Sequence, residues 1–466
     1  MPNQNSSDWN DLVGFSKSRE DKKMKRIGNL WEKLISLENA VSAIENGTIN
    51  KRTDQVVRRK LCYCDHDPKH LGQLDPIKVN LYAKKLIGIL TSGWVHQAFR
   101  QKMITPPRSK KRNINCPTLT DHLIHWMIIQ TIKPCIMRGM YDHTYGSIPG
   151  RGIDAARATV ERWIQHDKSA KYFVKLDIRK FYDNINQELL FAAYQRIIKD
   201  KRVLDVLHTL IFATPSGVPI GAYPSQWNGN FYLQPLDHFI VQNLYKLRRG
   251  KRTNFVKHYL RYMDDMLLIG SSKRDLEKAV REVIRFCASE LKIEIKSCWE
   301  IRQIAPAKVD SDGKKISMPH VSPVDICGYR FFKDHTEVRG SIFLHASRMA
   351  TRIAKRLSEQ NCIMLVEAEG LVSLCGWFSH ADSEYFLKHY INERVNVNFL
   401  REVISYASKN GIVGDAARIY CSQDRRDGGY HILFGYSGGR ARRRDSLLRD
   451  RMDGNIPLGF YVANKD

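Results

Sequence analysis

The stretch RYMDDMLLIG, residues 261–270, sets two adjacent carboxylates, Asp264 and Asp265, in a run that is otherwise apolar apart from Arg261 at its start. Successive residues of a strand point to opposite faces, so two acids in a row cannot both face one site from a straight strand. A tight turn removes that restriction. FVKHYLRYMDDMLLIG reads as two short strands joined by such a turn. Met263 and Asp264 then fall at the hairpin tip, where Asp264 can enter a cleft while Asp265 stays near its rim. An Asp-Asp pair at a turn is by itself ordinary turn chemistry, so the pair gains meaning only with a partner elsewhere.

Two carboxylates are too few to hold two divalent metals, because Mg²⁺ seeks octahedral oxygen coordination from carboxylates, water and substrate phosphates. A third acid is therefore expected. Asp177, at the end of the apolar run KYFVKLD, is the candidate. Two Mg²⁺ ions held by Asp177, Asp264 and Asp265 would activate a 3′-hydroxyl and stabilise a leaving pyrophosphate in an in-line displacement.

Composition agrees with a polyanionic partner. The chain has 466 residues, 43% of them hydrophobic and only 16 Pro, enough to bury a sizeable core and to exclude a disordered tail. Lys and Arg number 75 against 49 Asp and Glu, a formal charge of +26, which points to nucleic acid. The first residues lack an apolar core of signal-peptide length and no window has the length of a membrane span, so a cytoplasmic protein with no membrane partner is expected. The 10 cysteines follow no framework of spacings, which suits reduced thiols. Cys62, Cys64, His66 and His70 in LCYCDHDPKH fit no common zinc signature.

Along the chain, residues 27–49 space Leu30, Leu34, Leu37 and Val41 as one amphipathic helix does, and Asp75-Pro76 opens another. The segment TPPRSKKRNINCP reads as a basic, Pro-rich loop before an apolar helix. GIDAARATVERWIQH and QELLFAAYQRII are helical and flank the β-rich KYFVKLDIRKFYDNIN. After the Gly- and Pro-rich TPSGVPIGAYPSQ, one long apolar helix is expected from about Trp227 to Tyr245. SKRDLEKAVREVIRFCASEL is helical, while KIEIKS and GYRFFKDHTEVRGS read as strands. Helices and strands alternate irregularly with carboxylates at strand ends, which predicts an α+β sheet with helices packed on it.

VKLDIRKFYDNIN, GVPIGAYPSQWNGNFYLQPLDHFI, RYMDDMLLIG and ICGYRFF, in that order, resemble the successive palm motifs of a reverse transcriptase over roughly residues 27–390. The resemblance implies a right-hand polymerase with fingers, an antiparallel palm sheet carrying helices, and a helical thumb. It makes Asp177, Asp264 and Asp265 the metal-binding acids, with the Ile178 carbonyl completing one metal shell. Tyr182 falls where the family has an aromatic steric gate, whose ring leaves no room for a 2′-hydroxyl. Lys110, Lys111 and Arg112 match the triphosphate-binding fingers segment, Arg112 being favoured for its bidentate fork. Arg151, between Gly150 and Gly152, resembles the next fingers motif, which approaches the template. Lys296 stands near the position of a Lys that protonates pyrophosphate, Gly328 resembles the primer grip, and LVSLCGWFSHADS looks like the start of the thumb.

The middle motif is more selective. Ile220 and Gln226 in IGAYPSQ stand where most group II intron enzymes have Gln and Pro, and this form resembles reverse transcriptases of diversity-generating retroelements and of phage defence. Gly221 would let the loop pass beneath the templating pair, and Gln226 would touch template or nucleotide edges. There is no HNH endonuclease pattern and no paired Cys zinc motif after the thumb. The tail carries Arg440, Arg442, Arg443 and Arg444 near Tyr430, Phe434 and Tyr436, which suits either RNA contacts or a plain basic surface.

The resulting expectation has an N-terminal segment at 1–26, fingers at 27–170, palm at 171–340, thumb at 341–415 and a basic extension at 416–466. The activity expected is RNA-directed DNA synthesis with two Mg²⁺ ions, or Mn²⁺ in their place. It would act on an RNA template, structured or non-coding, to give a cDNA product in defence or diversification, with an accessory protein or a second copy as a further partner. The alternatives are a non-catalytic RNA-binding, maturase-like protein on the same fold and a template-independent polymerase.

Overall fold

The apolar runs around Asp177 and Asp265 become neighbouring strands at the centre of one sheet. The computed structural model describes residues 26–52, 54–63, 72–104, 111–306, 320–414, 416–423, 430–437 and 440–441. They divide between two units, one within Met1–Ala305 and Ser317–Ser322, the other within Pro306–Ile316 and Pro323–Asp466. The strands of the first unit are β1 (Arg100–Ile104), β2 (Arg112–Cys116), β3 (Thr144–Tyr145), β4 (Tyr172–Asp177), β5 (Tyr245–Arg248), β6 (Lys251–Asn254), β7 (His258–Tyr262), β8 (Asp265–Gly270), β9 (Arg302–Ile304) and β10 (Val321–Ser322). Six of them form a sheet in the order β10-β9-β4-β8-β7-β3. The β9-β4, β4-β8 and β8-β7 pairs are antiparallel, and only the outer β10-β9 and β7-β3 pairs are parallel.

Met266, Leu267, Leu268 and Ile269 of β8 are all fully buried, so both faces of the sheet are covered there. The helix Lys273–Ser289 turns Leu276, Ala279, Val280, Val283, Phe286 and Cys287 inward, at helical spacing. Those residues share one core with Val174, Leu176, Met266 and Leu268. Each fully buried aliphatic side chain contributes about 1.5–3 kcal/mol. A slip of one residue in the β4-β8 register would reverse every side chain, taking this set off the helix it packs on and ending the pairing of Asp177 with Asp265. The hydrophobic pattern therefore fixes where the acids emerge.

Several expected elements form as read. Asp75 caps Pro76–Thr91, accepting from the amide of Ile77 at 2.9 Å, and Ser272 caps Lys273–Ser289. Four differ. Residues 27–49 make two helices, Leu30–Leu34 and Leu37–Thr48, because the Ser36 hydroxyl accepts from the Asn39 amide at 3.1 Å and starts a new helix. The long helix expected from Trp227 breaks at Leu233 into Tyr223–Tyr232 and Gln234–Asn243, since Pro235 has no amide to continue the ladder. The basic loop after residue 100 is an antiparallel hairpin, β1 with β2, whose exposed strands carry no apolar alternation to betray them. KIEIKS makes only a single bridge, Ile295 to Ile178, because the chain after Asp177 turns away through Lys180 (φ 44°) into a short helix at Phe181–Asn184.

In the second unit, β11 (Val324–Ile326), β12 (Tyr329–Phe331) and β13 (Thr336–Val338) form an antiparallel meander. The helices Gly340–Gln360, Leu365–Phe378 and Val397–Lys409 follow the helical expectation for this region. The remaining strands are β14 (Cys362–Met364), β15 (Ile412–Val413), β16 (Arg418–Gln423), β17 (Tyr430–Ser437) and β18 (Arg440–Ala441). β14, β16 and β17 make a three-stranded antiparallel sheet, so part of the C-terminal stretch is built into this unit. Among the described residues, no helix is long and apolar enough to cross a membrane.

Candidate active site

Asp177 and Asp265 stand directly opposite each other across the β4-β8 ladder. Facing like charges destabilise an antiparallel pair, and two features bear on that cost. Lys296 donates from Nζ to Asp177 Oδ2 at 2.5 Å and from its amide to the Asp177 carbonyl at 2.9 Å. The other carboxylate oxygen, Asp177 Oδ1, is buried with no hydrogen-bond partner. Asp264 follows Met263 in the turn between Tyr262 and Asp265, as the hairpin reading required. Burial raises its pKa, and the neighbouring charges of Asp265 and Asp177 add to the rise. The Lys296 ammonium is held above its ordinary value, chiefly by its hydrogen bond to Asp177. Three acids thus share a site with one ammonium, and one carboxylate oxygen is left without a donor. Among the described residues, no group of three or more His, Cys, Asp or Glu side chains is drawn together closely enough to hold a metal ion by itself; a cation here would draw further ligands from water and phosphate.

The turn that carries Asp264 is strained. Met263 has φ 56°, left-handed for a residue with a side chain, which costs about 1–2 kcal/mol. Both its backbone groups are held: its amide donates to the Tyr145 carbonyl at 3.1 Å, and its carbonyl accepts from Arg261 Nη1 at 2.9 Å. Arg261 is completely buried, which disfavours its charge, but the Asp237 carboxylate raises its pKa above the ordinary value. Nε and Nη2 grip the two Asp237 oxygens at 2.7 and 2.6 Å. Nη1 also reaches Asn230 Oδ1 at 2.9 Å, and Nη2 the Asn230 carbonyl at 3.3 Å. All five guanidinium N–H groups are used. Asp237 further accepts from the hydroxyls of Tyr259 at 2.7 Å and Thr144 at 3.3 Å. Asn230 and Asp237 are fully buried polar residues inside an apolar helical run, seven positions apart in the numbering, and that polarity is their signal in the sequence.

Tyr182 lies close to the acids. Burial raises its hydroxyl pKa, with the charge of Asp264 adding to it. Its backbone is clamped from below, since the Val218 amide donates to the Tyr182 carbonyl at 2.8 Å. At Gly217 (φ 60°) an added Cβ would stand 2.3 Å from that same carbonyl oxygen. Gln187 Nε2 ties this loop down, donating to the carbonyls of Ile211, Thr214 and Gly217 at 3.0, 2.9 and 2.9 Å.

The β1-β2 hairpin meets the IGAYPSQ loop. The Asn115 amide donates to the Ile220 carbonyl at 2.8 Å, and a Cβ on Gly221 (φ 102°) would stand 2.2 Å from Ile114 Cγ2. Lys111 and Arg112 are exposed at the start of β2, while Lys110 lies outside the described residues, as do Cys64, His66, His70 and Arg442, Arg443 and Arg444. Gln226 is exposed near the start of the helix Tyr223–Tyr232. The bonds of the Ile178–Ile295 bridge are made by Asp177 and Arg179 on one side and Glu294 and Lys296 on the other, so they leave the Ile178 carbonyl unused. Arg151 donates from Nη1 to the Tyr141 carbonyl at 2.8 Å and lies 3.7 Å from Asp142, which braces it locally. Gly328 belongs to the second unit, at the β11-β12 turn, and packs against the Trp377 ring.

Residues 101–298, the segment that carries the three acids and Lys296, match the family model described as reverse transcriptase (RNA-dependent DNA polymerase). This segment of the chain thus resembles bacterial reverse transcriptases. It is 28% identical over 206 residues to the group II intron-encoded protein LtrA of Lactococcus lactis, covering 42% of this chain but 34% of LtrA. The retron Ec73 reverse transcriptase of Escherichia coli is 23% identical over 283 residues, covering 57% of this chain and 83% of that protein. The chain therefore spans about a third of LtrA and most of the retron enzyme. A telomerase from Candida tropicalis, solved with a fragment of telomeric RNA, aligns with a TM-score of 0.40 at 12% identity over 71% of this chain and 62% of that one.

Proposed function

We propose that the protein is an RNA-directed DNA polymerase that copies an RNA template into cDNA by two-metal nucleotidyl transfer. The observation that carries this reading is the meeting of Asp177, Asp264 and Asp265 at one end of the β4-β8-β7 ladder, with Asp177 Oδ1 buried and unpartnered. An all-oxygen, strongly anionic donor set suits a hard divalent cation. The three carboxylates and the Ile178 carbonyl are the groups that would hold Mg²⁺, or Mn²⁺ in its place. Bound there, the metal would acidify a primer 3′-hydroxyl and neutralise charge on the leaving pyrophosphate.

The chain's own groups supply the rest. Lys111 and Arg112, with Lys110, offer donors to the triphosphate oxygens. Tyr182, fixed by the Gly217 loop, fills the space beneath the sugar and selects deoxynucleotides. The loop through Gly221 and the exposed Gln226 face the templating pair, and Arg151 supports the fingers turn beside it. Lys296 orients Asp177 and is the nearest cation able to give a proton to pyrophosphate. Gly328 is assigned to the primer grip. Fingers, palm and thumb are assigned to 27–170, 171–340 and 341–415.

The RNA template is inferred from the relatives, one a retron enzyme and one encoded by a group II intron. The role is assigned to a bacterial or phage system, in defence or in retroelement-based diversification, and sequencing the nucleic acid that copurifies separates the two. The activity is tested by giving the purified protein a primed RNA template, Mg²⁺ and labelled deoxynucleotides. Asp177→Ala, Asp264→Ala and Asp265→Ala should each abolish product. Product from any of them at the unaltered protein's rate would overturn the site.

A further inference from the structure

Between the helix Gln234–Asn243 and β7, the chain makes a ten-residue excursion, YKLRRGKRTN, that closes as the β5-β6 hairpin. It holds five cations and no acid. Two of the five anchor it. Lys246 pairs with Asp275 at 2.6 Å, and Arg252 stacks over the Tyr245 ring at 4.2 Å and donates to the Val241 and Gln242 carbonyls. The side chains of the other three, Arg248, Arg249 and Lys251, crowd an exposed tip and have no hydrogen-bond or ion-pair partner among the described residues. Arg249 (φ 50°) and Gly250 (φ 73°) give the tip the positive dihedrals of a type I′ turn, so the charges are displayed on a stiff element. Three like charges within four residues repel each other and contribute nothing to the fold. A cavity of about 330 Å³ opens at the base, lined by Arg252, Thr253, Asn254, Val256 and Lys257.

The position of this hairpin separates it from the catalytic turn. Its base joins β7 at Lys257, whose amide pairs with the Ile269 carbonyl at the far end of the β7-β8 ladder from Met263. Six residues of strand at ~3.3 Å each put about 20 Å between Lys257 and Met263. The Lys246–Asp275 pair ties the hairpin to the first turn of the helix that follows β8, at that same far end, so its cations are placed away from the incoming nucleotide.

We propose that the β5-β6 hairpin is a second nucleic-acid contact, in which Arg248, Arg249 and Lys251 grip the phosphate backbone of a double-stranded segment about 20 Å or more from the point of synthesis. This deepens the polymerase reading and rests on it. The segment has two sources, a folded arm of the template RNA or the newly made hybrid, and both present the same phosphates.

The test uses the full chain and its Arg248→Gln/Arg249→Gln/Lys251→Gln variant on three probes: a ~10-base-pair primed RNA, the same primed RNA with an added ~20-base-pair RNA stem, and a ~30-base-pair RNA–DNA hybrid. Neutralising three phosphates gives about 2.7 of salt slope, or ~40-fold more affinity lost by the unaltered protein than by the variant between 50 and 200 mM salt. That difference should appear on a long probe, the stem-bearing RNA or the long hybrid identifying the source, while extension of the short probe is unchanged. Equal slopes on both long probes would overturn the contact and turn attention to an acidic protein as the occupant. An equal loss on the short probe would overturn the remote placement. Extension of the short probe by the unaltered protein tests the polymerase reading separately.

Discussion

Asp237→Asn isolates what the buried pair beneath the catalytic turn contributes. Arg261 and Asp237 are both fully buried, so removing one charge leaves the other without its counter-ion in a site water does not reach. Breaking such a pair costs about 3–5 kcal/mol, much of it the penalty of the abandoned charge. Asp237→Asn keeps an acceptor for the Tyr259 hydroxyl but strands the guanidinium. Arg261→Met strands the carboxylate and also releases the Met263 carbonyl, which holds the left-handed turn. The double variant Asp237→Asn/Arg261→Met removes both charges and should recover about half or more of the stability lost by either single change. It should not recover primer extension, because nothing then holds Met263 against its strain and Asp264 loses its aim. Urea unfolding followed by far-ultraviolet circular dichroism gives the stability, and extension on primed RNA at a temperature where all variants are folded gives the activity. Additive single losses in the double variant would refute the pairing. A double variant with full activity would refute the role of Arg261 in positioning the turn.

Asp264→Asn should raise the melting temperature at neutral pH without metal while abolishing extension. A carboxyl whose folded pKa is raised binds its proton more tightly in the folded state, so it subtracts stability as pH rises from the ordinary value of 3.8 through the raised one, and the amide removes that penalty; a lower melting temperature would count against a crowded anionic site. His122 behaves oppositely: burial, with Lys51 nearby, lowers it from 6.5 to about 4, so the unfolded chain takes up the proton first and stability drains away as pH falls through that window, by about 3 kcal/mol at most. His122→Gln should flatten the melting temperature between pH 4 and 6.5 relative to the unaltered protein, and an unchanged slope would reject this. Tyr182→Ala should admit ribonucleotides, and Gly217→Ala, whose methyl would press on the Tyr182 carbonyl, should move the same ratio in the same direction; incorporation ratios unchanged from the unaltered protein in both variants would refute the gate.

Periodicity exposed the elements whose faces are cleanly divided. The helix Lys273–Ser289 and the runs of β4 and β8 could be read because burial needs apolar residues at the matching period, and Asp75 was visible as a helix start because its oxygen serves adjacent amides. The β1-β2 and β5-β6 hairpins carry no such signal because they lie largely in solvent, where no apolar alternation is selected. The break at Leu233 had its signal in Pro235, overridden by the apolar run around it.

By itself the sequence determined the chemistry on offer: three acids at strand ends and turns, a basic chain, and a hairpin tip at Met263–Asp264, since these follow from residue types and local spacing. Only the tertiary structure decided that Asp177 faces Asp265 across the ladder, that Lys296 comes back to grip Asp177, and that Arg261 is spent on Asp237 and the turn. Those are contacts between segments far apart in the chain. Their partners are set by the sheet register and by which polar groups must find one another once water is excluded, and no local pattern encodes that choice.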